Sequence, residues 1–171
     1  MKTAKLLLTC ALLATAQNVF CQDFEVPENY QFNTADDYAL YEKDIIAAAK
    51  WLEATPFNEQ EDKRNEVEKF VWKWVEGSPT VNVEINETIL EFDKKNPGMM
   101  ILYAAGCARY VLENNYSKDM RAKHKFALGV MIRAYKAGKG MNKDKNMDAL
   151  VKAEADGKLD AWLDKNLKIE K

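Results

Sequence analysis

The stretch "NKDKNMDALVKAE" sets Asn142, Asp144, Asn146 and Asp148 at alternate positions, the spacing at which a calcium loop presents its oxygen ligands. Such a loop also needs glycine at its sixth position and a bidentate glutamate at its twelfth. Counted from Asn142 those positions are Met147 and Ala153, and counted from Asp144 they are Ala149 and Ala155. Glu154 arrives one residue late, and Lys143 and Lys145 dilute the local negative charge. The run therefore reads as a polar connector whose Asn146 caps the next helix, and no metal site is assigned to it.

Few other residues have the type and setting for chemistry. His124 is the only histidine, so any general base of that type must be this residue. Its register places it in the apolar stripe of a helix, where a hydrogen-bonded boundary histidine is the simpler reading. Ser78 and Ser117 stand where turns and caps use hydroxyls, and no GxSxG elbow is present. Cys107 lies in the most apolar segment, which predicts a buried, inert thiol. No HExxH or CxxC pattern gathers zinc ligands. No GxGxxG or GxxxxGK[ST] loop cradles a phosphate, so no cofactor is expected. Glycosidase chemistry requires two carboxylates in one cleft; with 27 acidic residues the sequence does not select a pair.

Two tryptophans and one basic face are candidates for binding. Trp72 lies about 130° from the centre of its helix's apolar stripe at about 100° per residue, and Trp51 falls on the far face of its own helix beside Leu40. Either the N-terminal arm and the 78–86 connector cover them, or they face a partner. Lys118, Arg121, Lys125, Arg133 and Lys136 share one face of a later helix, which is either simply solvated or open to a polyanion.

The elements that must position these residues are helical. Thr34 with Asp37 forms a capping box ahead of a helix over 35–53, whose stripe is Tyr38, Tyr41, Ile45, Ala48, Ala49 and Leu52. Asn58 and Glu61 start a second helix over 59–76, with Val67, Phe70, Val71, Trp74 and Val75 inward. "TVNVEIN" (80–86) alternates Val81, Val83 and Ile85, the one strand-like signal, and suits an extended connector or a partner for the N-terminal arm. A short helix carrying Ile89, Leu90 and Phe92 follows. Asn96-Pro97 opens a helix to about Asn114 that is apolar almost all round, hence central; its Arg109 can reach Glu113 or a carboxylate on a neighbouring helix. Ser117 caps a helix to Ala137, and helices over 147–156 and from Leu159 close the chain. The fold class is all-α, an irregular bundle of six to seven helices with an extended arm over 22–33.

The N-terminus has the form of an export signal: a basic start, the apolar run "LLLTCALLATA" at 6–16, and small residues after it. Cleavage is expected after Cys21, with Ala16 as the alternative, leaving 22–33 as the arm and 34–171 as a single helical domain. Cleavage after Ala16 would leave Cys21 able to pair with Cys107. No later segment is long and apolar enough to span a bilayer. Residues 22–96 hold 8 basic and 18 acidic side chains, whereas 97–171 hold 15 and 9, so the halves carry opposite charge.

The stretches "DYALYEKDI" (37–45), "WLEATPFNE" (51–59), "GSPTVNVEIN" (77–86) and "ENNYSKD" (113–119) resemble a group of small exported helical proteins of Gram-negative bacteria whose function is not established. The resemblance implies an exported all-α domain and brings no catalytic motif. The resulting expectation is a soluble protein of the periplasm or the extracellular space, acting as a non-enzymatic binding module for another envelope protein or a polyanion. Nucleic acid is not an expected partner for an exported chain. The alternative is an envelope hydrolase using a carboxylate pair.

Overall fold

The computed structural model describes residues 23–167. The segment read as a signal peptide, its two cleavage points and Cys21 lie outside the described residues. Eight helices follow in order: α1 (Ala35–Leu40), α2 (Glu42–Ala54), α3 (Glu61–Gly77), α4 (Glu87–Asp93), α5 (Met99–Glu113), α6 (Met120–Ala137), α7 (Lys145–Ala155) and α8 (Leu159–Asn166). No strand occurs among the described residues. No helix there is long and apolar enough to cross a membrane.

The count exceeds the expected six to seven because the helix foreseen over 35–53 is two. In an unbroken helix the Tyr38 carbonyl would accept from the amide four residues on. Here it accepts from the Trp74 indole at 2.9 Å and from the Tyr41 amide at 3.3 Å. Tyr41 leaves helical geometry at φ −98°, ψ 6°, and its ring stands edge-on to both Phe32 and Phe70. Tertiary contacts of two aromatic residues thus override a continuous helical pattern. The capping box itself forms: Asp37 accepts from the Asn33 and Thr34 amides at 2.9 and 2.8 Å, which holds its carboxyl below the usual range.

α5 is the axis of the bundle. Met99, Leu102, Val111 and every residue from Tyr103 to Ala108 are buried, and α2, α3, α4 and α6 all pack on it. Its start is two residues later than Pro97. The Asp93 carboxylate accepts from the Gly98 and Met100 amides at 2.9 and 3.0 Å, capping α5 from the end of α4. Asn96, foreseen as the cap, instead exchanges hydrogen bonds with Asn142 of the α6–α7 loop at 2.6 and 3.1 Å. Gly106 lets α6 approach, since a Cβ there would stand 2.9 Å from Ala127 Cα.

Residues 23–33 carry no helix and lie along α3. Phe24, Tyr30 and Phe32 surround Phe70, with ring centroids 6.2, 4.9 and 5.9 Å away. Residues 81–86 alternate buried or half-buried valine and isoleucine with exposed Asn82 and Glu84, the period of extended chain. They do not pair with the arm. Lys123, buried in α6, fixes them by donating to the Asn82 carbonyl at 2.8 Å.

Candidate functional site

The calcium-like residues are each used locally. Asp144 is the N-cap of α7, accepting from the Asn146 amide at 2.8 Å, so the cap is Asp144 and not Asn146. Asn142 joins the α4–α5 corner, and Asp148 accepts from the Tyr135 hydroxyl at 2.9 Å. The side chains of Asn142, Asp144 and Asp148 therefore point to different partners. Among the described residues no group of three or more His, Cys, Asp or Glu converges as metal ligands.

Trp51 is 2 % exposed and takes no part in an open surface. Lys63 lies 5.5 Å from its ring centroid and is held there by Asp23 and Glu25 of the arm at 2.5 and 2.6 Å. The polar-looking helix start of α3 thus covers the far face of α2. That arrangement was hidden in the sequence because Lys63 sits among charges that read as solvated.

The basic residues of α6 do not form one free face. Arg121 bonds Asp164 and Asp160 of α8, and Lys125 bonds Asp160 at 2.9 Å, which holds that carboxyl below its ordinary value. Arg133 reaches Glu53 of α2 at 2.6 Å, and Lys136 stands 3.9 Å from Glu154 of α7. Arg109 bonds both Glu53 and Glu113 at 3.0 Å, using the two partners foreseen for it. Lys118, ahead of α6, has no carboxylate partner among the described residues.

Lys118 instead shares a groove with Trp72. Both line a groove of about 340 Å³ between the end of α3, the 78–85 connector and the start of α6, floored by Val75, Val81 and Val111. Trp72 is half-buried there. The connector presents unpaired backbone beside it: Val83, Glu84 and Ile85 make no backbone–backbone hydrogen bond among the described residues. Trp72 and Lys118, in the sequence a stray aromatic and a helix charge far apart, belong to one concavity.

On the far side of the connector lies a smaller pocket of about 230 Å³, lined by Glu84, Ile85, Asn86, Tyr103, His124 and Leu167. His124 is 1 % exposed and its ring stacks at 15° against Tyr103. Its Nδ1 is hydrogen-bonded to the Tyr103 hydroxyl, with the Cys107 thiol a further neighbour of that hydroxyl. Its Nε2 has no hydrogen-bond partner among the described residues; a carboxylate oxygen of Glu84 is 3.9 Å away. Burial, helped by the charge of Lys123, pushes the imidazole down to about 4, so it is neutral at neutral pH. Burial pushes the Cys107 thiol up to about 12 and the Tyr103 phenol up as well, so neither is a ready nucleophile. Lys123 is pulled down by burial.

Tyr103, Glu84 and Lys123 were not singled out from sequence. Two signals existed. Tyr103 and Cys107 are one turn apart on the all-apolar α5, and Lys123 is a charge directly beside His124 on the inward side of α6.

No family model, no curated protein and no solved structure matches this chain.

Proposed function

We propose that the protein is a non-enzymatic binding module of the bacterial cell envelope, exported by its N-terminal segment, which holds an extended polypeptide segment of another envelope protein in the Trp72 groove. One observation carries this reading: Trp72, Lys118 and the connector residues Val83 and Ile85, whose backbone is unpaired among the described residues, line one concavity. A half-buried tryptophan supplies an anchor, and unpaired extended backbone is a template for an added strand. Lys118 adds a cation for an acidic side chain or a terminal carboxylate of the partner. The hydrolase alternative needs two carboxylates converging on one cleft. Among the described residues the His124 pocket presents Glu84 as its only carboxylate, and Glu53, which shares a cavity with Glu59, is already bonded by Arg109 and Arg133.

Peptide display on the folded protein, followed by calorimetry on the selected sequences, tests the groove. Trp72→Ala should weaken selected peptides by about tenfold or more, as removal of a central aromatic anchor does, and Lys118→Ala should weaken those bearing an acidic residue. Peptides insensitive to both substitutions would sink the groove reading. The export reading is tested separately by mass spectrometry of protein recovered from a Gram-negative envelope fraction. The N-terminus should be Gln22, with Gln17 the alternative, and an intact Met1 would refute it.

A further inference from the structure

The pocket beside His124 has in its wall a polar atom that no described residue partners. A buried imidazole nitrogen without a hydrogen bond is costly; His124 lines the cavity, and its Nε2 has almost no accessible surface of its own. The tautomer follows from its neighbours. If the Tyr103 hydroxyl donates to Nδ1, then Nε2 carries the hydrogen. The reverse arrangement would aim an Nε2 lone pair at the Glu84 carboxylate 3.9 Å away and would deny the phenol hydrogen its Nδ1 acceptor. Electrostatics selects Nε2–H. The site thus offers one neutral donor, His124, and one anionic acceptor, Glu84, whose side chain is half-exposed at the mouth.

We propose that this pocket is a small-molecule site for a neutral hydroxylated ligand, a sugar or polyol, with one ligand hydroxyl bridging His124 Nε2 and the Glu84 carboxylate. A hydroxyl is the small group that accepts from an N–H and donates to a carboxylate at once. A ligand carboxylate or phosphate has nothing to donate and is repelled by Glu84. A ligand ammonium cannot accept from Nε2–H. A tetrahedral hydroxyl about 2.8 Å from each partner spans about 4.5 Å, so Glu84 must swing outward beyond its present 3.9 Å to admit the hydroxyl to Nε2, which is closed off as the site stands. Ile85 and Leu167 supply apolar walls for the carbon face of such a ligand. A cavity of about 230 Å³ lies below the range of about 300–1,000 Å³ that encloses drug-sized molecules, which suits a single ring or a short polyol.

His124 is the only histidine, so in untagged protein its imidazole nitrogens give one unambiguous set of ¹⁵N resonances. Glucose, N-acetylglucosamine and glycerol are titrated as probes, with acetate and methylammonium as charged controls. The Nε2–H tautomer is expected in the free protein, together with a saturable Nε2 shift for at least one neutral probe and none for either control. Glu84→Ala, at an exposed position, should weaken that binding by about tenfold or more, as loss of a hydrogen bond to a charged group does. Trp72→Ala should leave it unchanged, which separates this site from the groove. The proposal is overturned by an Nδ1–H tautomer, by no saturable shift with any neutral probe, by equal binding of acetate, or by a shift that survives Glu84→Ala undiminished.

Discussion

At the scale of single residues the buried polar groups set both stability and its dependence on pH. His124 takes up a proton near pH 6.5 when unfolded and near 4 when folded. Between those values the unfolded chain binds more protons, so stability rises with pH across this window and the group adds no slope below it. At about 1.4 kcal/mol per pKa unit, acidification from pH 6.5 to 4 should cost about 2–4 kcal/mol through this residue. Melting curves of wild type and His124→Gln across that range isolate the effect, because the carboxylates titrate in both; parallel curves would refute it. Arg64 is the second case. It is 5 % exposed, and its guanidinium donates to the Leu52 carbonyl at 3.1 Å, to the Thr55 carbonyl, and to Glu68 at 3.3 Å. It closes the C-terminal end of α2, whose last carbonyls lack helical partners. Arg64→Met should lower unfolding free energy by about 3 kcal/mol, measured by urea titration, since Glu68 would then be left without its cation. Neither role was legible in the sequence. Arg64 sits in a run of charges that looks solvated, and the burial of His124 was readable but not its facing partners, which come from α5 and the connector.

At the scale of elements, helix existence was legible and helix starts were not. Apolar stripes at helical spacing located every helical stretch, though α1 and α2 read as one, because burial of one face dominates helix formation in a folded chain. The starts failed where several capping residues lie close together. Asp93 took the cap of α5 from Asn96, Asp119 took that of α6 from Ser117, and Asp144 took that of α7 from Asn146; in each case a carboxylate, the stronger acceptor, won. The break at Tyr41 could not be read at all, because it depends on the Trp74 indole reaching from another helix. Packing between α5 and α6 gives a paired prediction. Gly106→Ala gains about 1 kcal/mol in helix propensity, but its Cβ would meet Ala127 Cα at 2.9 Å. Overpacking of about 1–3 kcal/mol should win, giving a net loss. Gly129→Ala, whose Cβ would meet only the mobile end of Arg133 at 3.1 Å, should be neutral or stabilising. Chemical denaturation of the two variants should therefore move in opposite directions or differ clearly in size.

At the scale of the whole molecule the sequence shows opposite charge on its two halves, and the structure shows why that is not a charge on two faces. Glu53 from the acidic half joins Arg109 and Arg133 from the basic half, and Lys50 joins Glu113 at 2.7 Å. The acids of α8 take up Arg121 and Lys125 within the basic half itself. Sequence counting cannot see this, since α6 and α8 are brought side by side by tertiary packing, with Leu163 buried and Leu159, Trp162 and Leu167 against the core. Removal of the arm tests its part in the same whole. Deleting residues 23–33 strips Phe24, Tyr30 and Phe32 from Phe70 and frees Lys63 from above Trp51. At about 1.5–3 kcal/mol for a fully buried aromatic, offset by the entropy of ordering the arm, the deletion should cost about 3 kcal/mol in guanidinium titrations and expose tryptophan fluorescence to quenchers. The charge pairing leads to a prediction about polyanions. Four of the five cations proposed for a basic face already stand beside carboxylates, so the wild-type protein should leave a heparin column below about 0.2 M salt, where exposed charges are screened within a few ångströms to a nanometre. Asp160→Asn with Asp164→Asn frees Arg121 and Lys125 without touching the groove or the His124 pocket, and should raise the salt needed for elution. If wild type is retained strongly and the double variant no more so, the ion pairs of α6 with α8 do not hold in solution and the basic face is open after all.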